Sequence, residues 1–110
     1  MTTFLPLDAN GNAIPALRLM DDGAHTINVT DISARNSTAF DANTRVVSLY
    51  ATGPVYLRFG DSSVTAGSTD HYFPAGVYYD MAVAGPGGKD SHVAALRVDS
   101  DCTLYISEKQ

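Results

Sequence analysis

Three histidines, His25, His71 and His92, one cysteine, Cys102, and a scatter of aspartates are the side chains from which this 110-residue chain would have to build catalysis or metal binding. The histidines fall on three different expected strands. No two of them stand at the i, i+4 helical spacing or the short-loop spacing of a metal centre. Asp70 and His71, with Asp61 and Asp80 near in sequence, offer oxygen and imidazole ligands in principle. Aspartates in turns are accounted for more simply, because their carboxylates bond neighbouring backbone amides. Each histidine therefore reads as an ordinary surface or half-buried residue. Cys102 has neither a basic neighbour nor a helix N-terminus to favour its thiolate, and is expected to act as a small apolar side chain. No serine sits in a G-x-S-x-G turn. Gly85-Pro86-Gly87-Gly88-Lys89 has the glycines and lysine of a phosphate loop but not its spacing, and Asp90 stands where Ser or Thr is needed. The expectation is a chain without catalytic, cofactor-binding or metal-binding residues, and hence not an enzyme.

Composition narrows the partners. Lysine and arginine total 7 against 12 aspartate and glutamate, a formal net charge of −5, so the phosphate backbone of nucleic acid would be repelled. A single cysteine excludes an internal disulfide framework and a multi-cysteine zinc site. No stretch approaches the roughly 18 consecutive apolar residues of a membrane helix. Residues 1–7 lack a basic start and are interrupted by Pro6, which argues against a secretory signal. The length suits one domain, residues 1–110, with a core of several buried strands.

The elements that must position any site are strands. Residues 4–7 and 13–20 flank Asn10-Gly11, a pair suited to a tight hairpin turn, and read as a first hairpin. Asp21-Asp22-Gly23 reads as a turn into a strand over residues 24–30, where His25, Ile27 and Val29 alternate with Thr26 and Asn28. Residues 31–43 are polar and irregular, a crossover loop whose ends Ile32 and Phe40 pin to the core. Residues 45–51 and 54–60, around Thr52-Gly53, form the clearest expected hairpin, with Val55, Leu57 and Phe59 opposite Tyr56 and Arg58. A short strand over 70–73 leads through Pro74-Ala75-Gly76 into 77–84, where Val77, Tyr79, Met81 and Val83 oppose Tyr78, Asp80 and Ala82. Strands 92–98 and 102–107 form an expected last pair, with Leu104 and Ile106 inward. No segment carries helical spacing with caps. About eight short strands at regular turn spacing predict an all-β, antiparallel fold, a two-layer sandwich or a small barrel, with the jelly-roll-like sandwich preferred, residues 1–43 as hairpins and crossover and 44–110 as the main strands. Pro54 and Pro74 are the natural edge blockers.

The strongest functional signal is the tyrosines. Tyr50, Tyr56, Tyr78 and Tyr105 stand out of phase with the apolar positions beside them, on the half of each strand that faces water. Large apolar patches are rare on monomers, so such a face reads as a docking surface. Tyrosine with arginine is also the pairing enriched at interface hot spots. The candidate interface residues are Tyr50, Tyr56, Arg58, Tyr72, Tyr78, Arg97 and Tyr105, with an acidic rim of Asp61, Asp70, Asp80, Asp99 and Asp101. Tyrosine is equally favoured in strands for cross-strand packing, which would leave several of these rings merely covering the core edges.

Thr44-Arg45-Val46-Val47-Ser48-Leu49-Tyr50-Ala51 and Val55-Tyr56-Leu57-Arg58-Phe59-Gly60 resemble a pattern in small virion proteins of tailed phages, prophages and phage-like gene transfer agents. The similarity continues through Asp70-His71-Tyr72-Phe73-Pro74-Ala75-Gly76-Val77, Ala94-Ala95-Leu96-Arg97-Val98 and Leu104-Tyr105-Ile106-Ser107-Glu108, so it covers residues 44–108. It implies a non-enzymatic structural part of a particle: a capsid decoration protein, the base of a head spike or fibre, or a neck or tail piece. It also implies a homo-oligomer that docks on another virion protein and is made in the bacterial cytoplasm, with Phe73 closing a turn over the core. The alternative from another class is a carbohydrate-binding sandwich module whose tyrosines stack on a glycan.

Overall fold

The computed structural model describes residues 7, 9–12 and 17–110. Its strands in chain order are β1 Leu19–Val29, β2 Ala34–Arg35, β3 Val46–Ala51, β4 Val55–Gly60, β5 His71–Phe73, β6 Tyr78–Ala82, β7 Ala84–Gly85, β8 Gly88–Lys89, β9 His92–Arg97 and β10 Cys102–Lys109. No helix occurs among the described residues. Two four-stranded sheets carry the fold, one in the order β1-β10-β3-β6 and the other β2-β9-β4-β5, while β7 and β8 form a small separate hairpin. Every pairing among these ten strands is antiparallel. The expected all-β sandwich is therefore present, and its strand order is that of a jelly roll.

The pairing differs from the sequence reading at its clearest point. β3 and β4, expected as a hairpin, lie in different sheets, and so do β9 and β10. The physical reason is that both members of each pair carry a largely apolar face. Two such faces are satisfied when they meet across the core, whereas hairpin partners would share one layer. The Thr52-Gly53-Pro54 link is thus a corner between layers. Thr52 anchors it, its N–H donating to the Thr103 carbonyl at 2.9 Å. Gly53 is required there by space, since a Cβ at that position would lie 2.9 Å from the Cys102 Cβ. Pro54 consequently precedes an interior strand and blocks no edge, whereas Pro74 follows the edge strand β5.

Near the start of the described chain the sequence reading is again corrected. Asp21-Asp22-Gly23 does not turn the chain: β1 runs straight through it, with a register irregularity between Leu19 and Ala24 and a positive φ of 62° at Asp22. The expected first hairpin lies largely outside the described residues. The crossover over 31–43 contributes β2 to the second sheet. Phe40 is buried as expected, but Ile32 is 74 % exposed and pins nothing.

Alternation fills the interior as expected. Ile27, Val29, Val47, Leu49, Ala51, Leu104 and Ile106 from one sheet meet Val55, Leu57, Phe73, Val93 and Ala95 from the other in one buried cluster. Each large aliphatic or aromatic side chain in it contributes about 1.5–3 kcal/mol of gross burial free energy.

Candidate functional site

The outer face of the β1-β10-β3-β6 sheet carries a row of rings. Tyr105 pairs with Thr26 on one side and Tyr50 on the other, and Tyr50 in turn pairs with Tyr78. Directly opposed residues of antiparallel strands project to the same side, and strands lie about 4.8 Å apart. Three tyrosines thus stand side by side across adjacent strands, 49 %, 37 % and 58 % exposed for Tyr105, Tyr50 and Tyr78.

The next row is Ala24, Ser107, Ser48 and Asp80. Asp80 accepts a hydrogen bond from Ser48 Oγ and faces Lys109 Nζ at 2.9 Å. The same Lys109 ammonium lies 5.4 Å from the centre of the Tyr78 ring. The Ser48 hydroxyl foremost, and then Lys109, hold the Asp80 carboxyl below its ordinary value of 3.8. The Asp80 carboxylate, the one charged side chain of these two rows, is neutralised by Lys109 from the row beyond it. A chain of net charge −5 thus presents one sheet face that is aromatic, hydroxyl-bearing and locally neutral.

The other expected interface residues lie elsewhere. Tyr56 and Tyr72 are cross-strand partners of β4 and β5, their ring centroids 6.4 Å apart at 72°, an edge-to-face contact. They and Arg58 alternate with Val55 and Leu57, which puts them on the outer face of the second sheet, on the opposite side of the sandwich. Arg97 is at the end of β9 and is paired with Asp101 at 2.6 Å. The seven residues are therefore split three, three and one.

The acidic rim resolves into local roles. Asp61 accepts from the Ser63 N–H at 2.9 Å, and Asp70 from the Gly67 N–H at 2.7 Å, as turn-forming aspartates do. The Ser63 hydroxyl holds the Asp61 carboxyl below its ordinary range. Among the described residues no group of three or more His, Cys, Asp and Glu is arranged to hold a metal ion. His71 is exposed; His92 is buried, and desolvation, with Arg35 as a smaller cause, pulls its pKa below 6.5. Burial likewise pushes the Cys102 thiol up.

One polar cluster escaped the sequence reading. Glu108 is 2 % exposed. Its Oε1 accepts from Thr44 Oγ at 2.6 Å and from the Asp41 N–H at 2.7 Å, and its Oε2 meets His25 Nε2 at 2.7 Å. The Phe40 ring stands edge-on to His25 with centroids 5.3 Å apart. The signal was available, because Glu108 continues the inward phase of Leu104 and Ile106, and His25 that of Ile27 and Val29. A carboxylate and an imidazole, both facing inward, find each other across adjacent strands.

No family model and no curated protein matches the chain. Among solved structures, one chain described under "Bacillus endospore appendages form a novel family of disulfide-linked pili" aligns over 96 % of this chain and 97 % of its own, with 16 % identity and a TM-score of 0.43. A likeness at that level carries no functional argument. The resemblance to virion proteins has no counterpart in these matches.

Proposed function

We propose that the chain is a non-enzymatic structural subunit of a phage or phage-like particle. In this reading it forms a homo-oligomer and docks on another virion protein at the capsid surface, as a decoration protein or the base of a spike or fibre. The observation that carries the docking part is the row Tyr105-Tyr50-Tyr78 on a locally neutral sheet face. Rings of this kind release ordered water when covered and lose little side-chain entropy, which suits adhesion better than turnover. The Lys109–Asp80 pair beside them leaves Asp80 without an uncompensated charge next to the rings.

The test is made on particles released by the producing bacterium and purified on a density gradient. The chain is expected to co-sediment with them, and a folded Tyr50→Lys/Tyr105→Lys variant is expected to be lost from them. Particles that lack the chain would overturn the virion reading. Sedimentation velocity on the purified chain addresses the homo-oligomer, and a strictly monomeric result at high concentration would overturn that part.

A further inference from the structure

Among the described residues β6 is an edge strand, paired with β3 on one side only, and it contains neither proline nor lysine. Its Tyr79 lies opposite Leu49 and its Met81 opposite Val47, both 0 % exposed, so register assigns Tyr79 and Met81 to the core-facing side. Yet Tyr79 is 57 % exposed, and Val77, just before the strand, is 40 % exposed. The sandwich is open here because the facing edge strand, β5, has only three residues. Between the two edges lies a cleft of about 340 Å³ lined by Leu57, Phe59, His71, Tyr72, Phe73 and Met81. That volume lies within the lower part of the range of sites that take an apolar ligand.

The same chain carries an apolar segment of matching chemistry. Residues 4–7 read Phe-Leu-Pro-Leu, residues 1–7 contain no charged side chain, and Leu7 is 64 % exposed. Its own cleft does not take Leu7 up. The described residues that follow this leader, 17 and 18, run into β1, where the Arg18 N–H donates to the Gln110 carbonyl and the Gln110 N–H to the Arg18 carbonyl. That strand is the edge of the sheet farthest from β6, about 14 Å away across three strand spacings. A described chain that enters at one edge and a cleft open at the other fit successive copies placed in line.

We propose that the cleft between β5 and β6 receives residues 4–7 of a second copy of this chain. The segment adds to the free edge of β6 by backbone pairing and sets its apolar side chains against Phe73 and Met81, in the manner of strand addition. Pro6 has no N–H and takes a position whose amide points away from β6. The contact is head-to-tail and leaves a free cleft at one end and a free leader at the other, so it propagates. This rests on the reading of the chain as an assembling subunit and names its self-contact; the tyrosine face stays free for the other protein.

The test uses full-length variants in sedimentation velocity. Phe4→Asp/Leu5→Asp removes the donor, and Met81→Glu places a charge in the cleft. His71→Glu, at an exposed cleft position opposite Leu57, serves where Met81→Glu does not fold. Wild type is expected to assemble with rising concentration, donor and cleft variants to be monomers alone, and their equimolar mixture to form a 1:1 dimer through the remaining intact donor and cleft. Donor or cleft variants that assemble like wild type, or a mixture that stays monomeric, would overturn the cleft contact while leaving the tyrosine-face reading standing. A wild type that never assembles would overturn both this contact and the homo-oligomer.

Discussion

Glu108 and His25, 83 residues apart in sequence, meet at 2.7 Å in the interior of the sandwich. Their side chains are 2 % and 9 % exposed, and the loop before β3 is tied to the same carboxylate through the Thr44 hydroxyl and the Asp41 amide. One acidic residue thus holds β1, β10 and the loop end together.

Removing that carboxylate should be costly. Glu108→Ala leaves the donors of Asp41, Thr44 and His25 without their acceptor in a buried place, and is expected to destabilise by about 3 kcal/mol. Glu108→Gln keeps an acceptor oxygen and should lose less. Urea unfolding followed by circular dichroism measures both.

The corner at Gly53 predicts a steric cost without any change of charge. Gly53→Ala drives a Cβ to 2.9 Å from the Cys102 Cβ, which should cost about 1–3 kcal/mol through overpacking. Gly85→Ala meets nothing within 4 Å and serves as the tolerated control. Thermal melts of the two variants should separate clearly.

Stability should depend on pH through His92. Its folded pKa lies below the ordinary value of 6.5, first because of burial and then because of Arg35. The unfolded chain therefore takes up a proton before the folded one does. Stability is full above about pH 6.5, declines as the pH falls below it, and stops declining once the folded-state pKa is passed. His92→Asn should flatten this part of a urea-midpoint profile, and an unchanged slope would refute the assignment.

Cys102 should be slow to alkylate. Its thiol is half-buried and its pKa is raised by burial, so little thiolate is present at neutral pH. Iodoacetamide is expected to react more slowly with the folded chain than with the same chain in urea, and equal rates would contradict the burial argument.

Substitutions on the tyrosine row should separate folding from attachment. Tyr50→Ser and Tyr105→Ser remove cross-strand contacts worth roughly 0.2–1 kcal/mol each, so both should stay folded in thermal melts. Particle attachment is expected to fall far more than stability does.

Period-two alternation alone settled the fold class, the inner and outer phase of nearly every strand, and the outward stance of Tyr50, Tyr78 and Tyr105, because a strand has only two sides. The same local rule could not tell which strands share a sheet. β3 and β4 are linked by a short turn yet cross between layers, since that choice depends on what their apolar faces meet across the core and not on the turn itself. Nor could alternation place Tyr56, Arg58 and Tyr72 relative to the other tyrosines: all are outward, but outward from opposite sheets. The burial of Glu108 against His25 and the exposure of Tyr79 were likewise decided by tertiary structure. Inward phase becomes burial only where another strand stands opposite to cover it.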